Sequence, residues 1–162
     1  MSILKIARLG HPILYRKASL VDNITEPGIK KLIHDMSETM IDYKGIGLAA
    51  PQVHISKQII IFRKIEDQEK ESNEIKITAL INPRIIKTSK ETDNQWEGCL
   101  SIPGMLGLVK RHFSISYEGF DMSGNKIQQY AEGLHARVVQ HECDHLNGIV
   151  FTHRLLDKKA YG

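Results

Sequence analysis

Cysteine, tryptophan and long apolar runs are scarce in this chain. It has two cysteines, Cys99 and Cys143, in 162 residues. A secreted scaffold held by disulfides carries far more, and a chain of this length can bury a core without such staples. A disulfide between the two is therefore not expected. The first residues, Met1 to Lys17, are broken by Lys5, Arg8, Gly10, His11 and Pro12, so no secretory apolar segment is read there. No run approaches the roughly 18 apolar residues of a membrane span. Charge of one sign is also lacking. The net charge is +3, with Lys and Arg dispersed, so a dedicated nucleic-acid binder with a clustered basic stripe is not expected. These absences point to a single domain over residues 1–162 in a reducing cytoplasm, where a thiol stays free to act as a ligand. Repeats and low-complexity tracts are missing too.

The helical periodicity is clear in two places. Ile29, Leu32, Ile33, Met36 and Met40 form a stripe, with Thr25 and Pro27 suited to its start and Gly45 just past its end. Leu134, Val138, Val139 and Leu146 form a second stripe, which predicts a buried helix over 134–147 closed by Gly148. Between them lie strand-like runs at 58–62, 77–86, 109–119 and 126–131, with a turn at Ser123-Gly124-Asn125. The polar stretch 64–76 reads as an exposed loop. Helix, several strands and a buried helix together predict an α+β fold.

The second helix carries His141-Glu142-Cys143-Asp144-His145. Four helical residues advance a side chain by about 400°, so the two histidines share one face within about 40°. They can reach one metal ion, and the Glu between them is placed as general base. Cys143 lies about 200° round the helix from each histidine and is expected to pack. Asp144 is expected to be structural, with Arg111 as its partner, and Gln140 is expected to support structure.

A catalytic site of this kind needs a third protein ligand. The downstream solution that places a His three residues past a Gly fails here, because Phe151 follows Gly148 at that spacing. No Glu follows Glu142. The third ligand is therefore sought upstream, among His11, His34, His54, His112, His135 and Cys99. Cys99 lies between a Gly and a nearby Pro, where backbone can approach a site closely, and a thiolate suits borderline and soft metals.

Three blocks, in order, resemble those of peptide deformylases: Gly45-Ile46-Gly47-Leu48-Ala49-Ala50-Pro51-Gln52, Glu97-Gly98-Cys99-Leu100-Ser101, and Gln140-His141-Glu142-Cys143-Asp144-His145-Leu146. The resemblance runs from about Leu9 to Phe151. It implies antiparallel sheets packed around a buried helix carrying the motif. It implies Cys99, His141 and His145 as ligands of one divalent metal, characteristically ferrous iron, with zinc, nickel or cobalt able to replace it. Glu142 would be the base, and Gln52 with the Leu100 backbone N–H would hold the oxyanion. Gly45, Ile46 and Gly47 would pair with a substrate backbone. Ile46, Leu100 and Val138 would line a pocket for the methionine of an N-formylmethionyl peptide. The reaction would be hydrolysis of the formyl group from nascent chains, with release of formate.

Two features depart from the family pattern. Leu106 stands where many bacterial members have an Arg, and the chain stops at Gly162, where many members continue into a helix that contacts the ribosome. A transient ribosome contact therefore rests on the resemblance alone. Arg154, Lys158 and Lys159 read as a solvated tail, and His11, Pro12, Leu14 and Arg16 as packing and loop.

Two other classes compete. A general metallopeptidase would act on unformylated peptides, and Cys99 argues against it. A structural zinc module would need a fourth Cys or His at motif spacing, and none is present.

Overall fold

The computed structural model describes residues 2–63 and 75–157. Most of the polar loop expected at 64–76, together with Lys158 and Lys159, lies outside the described residues.

Helix α1 (Pro27–Asp42) starts on a proline whose missing N–H costs nothing at that position. Strands β1 (Gly47–Ala49), β2 (Ile59–Arg63) and β3 (Ile77–Thr88) follow. Next come β4 (Thr92–Cys99), β5 (Ile102–His112), β6 (Ser114–Phe120) and β7 (Lys126–Glu132). Helix α2 (Gly133–Leu146) carries the two motif histidines. Five strands form one antiparallel sheet in the order β1-β2-β3-β6-β7, and β4 with β5 forms a second, two-stranded sheet. Among the described residues no helix is long and apolar enough to cross a membrane.

The apolar run of β2 is continuous because the large sheet is covered on both faces. Successive strand residues point to opposite sides. Ile60 and Phe62 pack with Val138, Val139, Cys143 and Leu146 of α2. Ile59 and Ile61 pack with Ile29, Ile33, Met36 and Met40 of α1. Each such side chain, fully buried, contributes roughly 1.5–3 kcal/mol relative to exposure. A smaller cluster of Ile102, Val109, Val150 and Phe151, with Cys99 against it, supports the second sheet. Helix α2 thus lies between the two sheets, and contacts β1, β2 and β7 of one and β5 of the other.

Gly148 ends the helix at φ +72°, and a Cβ there would lie 2.6 Å from the Tyr15 carbonyl carbon. Only glycine meets both demands.

Three expectations change. The strand read at 109–119 is two strands: β5 ends at His112, Phe113 crosses between sheets, and β6 begins at Ser114. Leu134, placed in the buried stripe, is 49% exposed, because the first turn of α2 lies at the edge of the cleft rather than under the sheet. Arg154, read as a solvated tail, pairs with Asp144 through its guanidinium, with one Nη2–Oδ1 bond of 2.9 Å.

Candidate active site

The cleft lies where β1, the β4–β5 turn and α2 meet. It is a cavity of about 710 Å³ lined by Gly45, Ile46, Gly47, Gln52, Cys99, Leu100, Val138, His141 and Glu142, among others. Three chain segments far apart in sequence therefore meet at one place.

The ligand atoms of Cys99, His141 and His145 all lie within 4.8 Å of one another. Cys99 ends β4, and its Sγ is 3.4 Å from Nε2 of His145. His145 is fully buried, and burial holds its pKa well below the usual imidazole range. It is thus neutral and able to donate a lone pair. Nδ1 of His141 lies 2.8 Å from a carboxylate oxygen of Glu97, which leaves Nε2 for the cluster. Burial opposes a charge on His141, but the Cys99 and Glu97 contacts outweigh it and raise its pKa to about 10. A half-buried thiol and a buried carboxylate that hold a proton on an imidazole form a site that stabilises positive charge. The donor set, one thiolate and two imidazoles, suits borderline divalent metals rather than calcium or magnesium.

Glu142 is buried against this cluster, and its Oε2 has no hydrogen-bond partner. Burial raises its pKa to about 7. An unpartnered buried carboxylate oxygen is costly unless a further group completes it. Gly47 makes room for it, since a Cβ there would lie 2.5 Å from Glu142 Oε1.

Gln52 sits in a short 3-10 turn, Ala50–Val53, and is buried. The Ala49 N–H donates to its Oε1 at 2.9 Å, which fixes the amide so that Nε2 faces the cluster. Nε2 donates to Ser101 Oγ at 3.1 Å and lies 3.4 Å from Cys99 Sγ. Leu100 occupies the tight turn between β4 and β5, beside Cys99. Strand β1 is an edge of its sheet, and the Arg63 N–H donates to the Ile46 carbonyl just before it. Val138 is buried on the cleft face of α2, whereas Ile46 is half exposed. Among the upstream histidines, none joins the three-ligand cluster.

Behind His141 lies a charge network, of which only the Arg111–Asp144 pair was expected from the sequence. Glu97 accepts from Arg111 Nε at 2.8 Å and Nη2 at 2.9 Å, and from Arg137 Nη1 at 2.6 Å. Arg111 Nη1 donates onward to Asp144 at 2.7 Å. Arg137 Nη2 donates to Asp93 at 2.8 Å. Burial would raise the Glu97 pKa, yet the hydrogen bonds from His141 and Arg111 hold it well below the usual carboxylate range. One signal was available in the sequence: residues 97 and 99 share a face of a strand, so a ligand at Cys99 implies a neighbour at Glu97. A carboxylate that orients a ligand histidine is a common supporting element of metal sites.

Comparison with known proteins agrees with this geometry. The family model for polypeptide deformylase matches residues 3–161. Peptide deformylase 1 of Nitrosomonas europaea is 42% identical over 159 residues, covering 97% of this chain and 90% of that protein. Peptide deformylase 1 of Bordetella pertussis is 44% identical over 158 residues, covering 97% and 90%. The crystal structure of peptide deformylase from Ehrlichia chaffeensis in complex with actinonin superposes with a TM-score of 0.89 at 37% identity, covering 99% of this chain and 92% of that one. The Met-Ala-Ser-bound peptide deformylase of Acinetobacter baumannii gives a TM-score of 0.86 at 35% identity, covering 96% and 100%. With its three sequence blocks gathered into one cleft and the match running nearly end to end, this chain belongs to the polypeptide deformylase family.

Proposed function

We propose that Glu142, Gln52 and Leu100 carry the chemistry of this chain at a divalent metal held by Cys99, His141 and His145. The reaction is that of the family: metal-dependent hydrolysis of the N-terminal formyl group of nascent peptides. The observation that carries the residue assignment is the convergence of three ligand atoms beside a buried carboxylate with one unpartnered oxygen. When bound, the metal supplies Lewis acidity, which lowers the pKa of a ligated water and polarises a carbonyl oxygen.

Glu142 takes a proton from the attacking water at its free Oε2. A carboxyl with a pKa near 7 is poised both to accept that proton and to return it. As water adds to the formyl carbon, negative charge gathers on the formyl oxygen. Gln52 Nε2 donates one hydrogen to Ser101 Oγ and the other to Cys99 Sγ; with the Cys99 thiolate committed to a metal, the second would turn to the cleft. That hydrogen and the Leu100 N–H donate to the oxyanion. Collapse breaks the carbon–nitrogen bond, and Glu142 passes its proton to the departing amine. The products are formate and a peptide with a free N-terminus.

Ile46, Leu100 and Val138 surround the methionine side chain. Gly45, Ile46 and Gly47 offer an edge to which an extended peptide backbone can add as a strand. Ferrous iron is the native metal in this reading, with zinc, nickel or cobalt able to occupy the same donors. Residues 1–162 act as one catalytic unit in the cytoplasm. The substrate emerges from the ribosome, and a transient ribosome contact belongs to this reading.

Glu142→Ala tests the assignment. The variant is expected to keep its metal and its melting temperature and to lose turnover by about 10²–10⁴-fold or more. Near-normal turnover with the metal retained would remove Glu142 from the mechanism.

A further inference from the structure

Helix α2 carries His141 and His145, and the β4–β5 hairpin carries Cys99. The three proposed ligands therefore straddle a seam between two elements. The apolar side chains of α2, among them Val138, Val139, Cys143 and Leu146, pack with the large sheet. The buried apolar cluster behind the hairpin, Ile102, Val109, Val150 and Phe151, includes no residue of α2. One ring contact crosses, His141 on Phe151 with centroids 6.1 Å apart. Hydrophobic burial is non-directional and here holds each element on its own side. The spacing across the seam falls to directional polar bonds.

Gln140 Nε2 donates to the His112 carbonyl, Asp144 accepts from Arg111, and His141 Nδ1 faces Glu97. Each of these side chains meets one strand. Arg137 meets both. It lies one turn before His141, on the same face of the helix. Its Nη1 donates to Glu97 Oε2 at 2.6 Å and to the Val109 carbonyl at 3.0 Å. Its Nη2 donates to the Asp93 carbonyl at 3.0 Å and to Asp93 Oδ1 at 2.8 Å. Asp93 and Glu97 belong to β4, and Val109 to β5. The Arg137 side chain is only 5% exposed, so water does not replace these bonds when they are lost. A planar guanidinium fork holds several acceptors in fixed directions, whereas an ammonium on a flexible stem acts as a point charge.

We propose that Arg137 is a positioning residue, a clamp on both strands of the hairpin that sets how far Cys99 stands from His141 and His145. It acts through Glu97, Asp93 and Val109. The inference rests on the ligand assignment above.

Arg137→Gln and Arg137→Lys test it, with Co2+ as the probe metal. A Co2+–thiolate bond gives a charge-transfer band that reports Cys99, and Co2+ affinity reports the whole site. Amide hydrogen exchange of the metal-free protein reads the clamp without any metal. In Arg137→Gln the amides of β4 and β5 should exchange about tenfold faster or more, while those of β2 and β3 keep their protection. Its Co2+ affinity should fall about 10–100-fold, and its thiolate band at saturation should weaken. Arg137→Lys keeps the charge between Glu97 and Asp93, so its melting temperature should stay near that of the parent. Its hairpin exchange and Co2+ affinity should nevertheless follow Arg137→Gln. A lysine that restores both to parent values would overturn the clamp, because charge alone would then suffice. Co2+ affinity within about twofold of the parent in both variants would overturn it as well. If Arg137→Gln fails to fold, Arg137→Lys decides by the same criteria. A thiolate band missing from the parent, or unchanged in Cys99→Ser, would strike the ligand assignment instead. Hairpin exchange then judges the clamp alone: faster exchange in Arg137→Lys upholds it and parent exchange overturns it.

Discussion

Replacing Glu97 by Gln probes the support of the metal site without touching a ligand. The parent carboxylate receives four hydrogen bonds: two from Arg111, one from Arg137 and one from His141 Nδ1. A glutamine of the same shape has one acceptor oxygen with two lone pairs, so at least two of the four are lost. Its NH2 group then faces cationic donors in a buried pocket. Arg111 and Arg137 are each about 95% buried, so they cannot recover water. Removing one partner from such a network costs about 3–5 kcal/mol. For a chain of this length that is a fall in melting temperature of roughly 6–20 °C. The His141 ring also loses its orienting acceptor, and metal affinity should fall about 10–100-fold. The pH dependence gives a second check on metal-free protein. The folded pKa of Glu97 lies below the ordinary glutamate value of 4.5. Its stabilisation is therefore fully present above pH 4.5 and is lost as pH falls through the folded value. The deficit of Glu97→Gln should be constant at neutral pH and shrink only in acid. Calorimetry at pH 7 and in acid, with a metal titration, reads all of this. A loss under about 2 °C with unchanged metal affinity would refute the network's role.

Three further substitutions separate the parts of the site. Gly47→Ala puts a methyl against the Glu142 carboxylate, so turnover should fall about 10²-fold from a misplacement near 1 Å while melting changes little; unchanged kcat would mean that Glu142 need not sit where it does. Gln52→Leu should lower kcat by about 10²–10³, or roughly 2.7–4 kcal/mol of barrier, with little effect on KM. A change confined to melting temperature would leave Gln52 no part in the chemistry. Cys99→Ser should lose metal sharply, whereas Cys143→Ser should retain one ion per chain, since the Cys143 thiol is buried away from the cluster with its pKa pushed up to about 12. Equal metal loss in the two variants would break the ligand assignment.

The parts of this molecule legible in its sequence are those where periodicity is local. The stripe Ile29, Ile33, Met36, Met40 reports α1 because each residue meets the same sheet face. The spacing of His141 and His145 reports their shared face because helix geometry sets it. The β4–β5 hairpin was not legible. Most of Thr92–Cys99 is exposed and polar, so no apolar alternation marks it as a strand. The break at Phe113 was hidden because apolar alternation carries on across a chain that changes sheets. The Glu97–Arg111–Asp144 network was only half visible. Its members lie 14 and 33 residues apart and are brought together by packing, which a single sequence does not encode as a spacing. Leu134 misled because helical phase reports a face and does not report where the covering layer ends.

The central claim is that this cleft removes formyl groups using a metal held by Cys99, His141 and His145. Formate release from formyl-Met-Ala-Ser by the iron-loaded protein tests it most directly, run beside the Cys99→Ser variant under the same anaerobic loading. The account predicts stoichiometric formate with free Met-Ala-Ser from the parent and a near-complete loss in the variant. No formate from the fully loaded parent, or equal formate from both proteins, would contradict it.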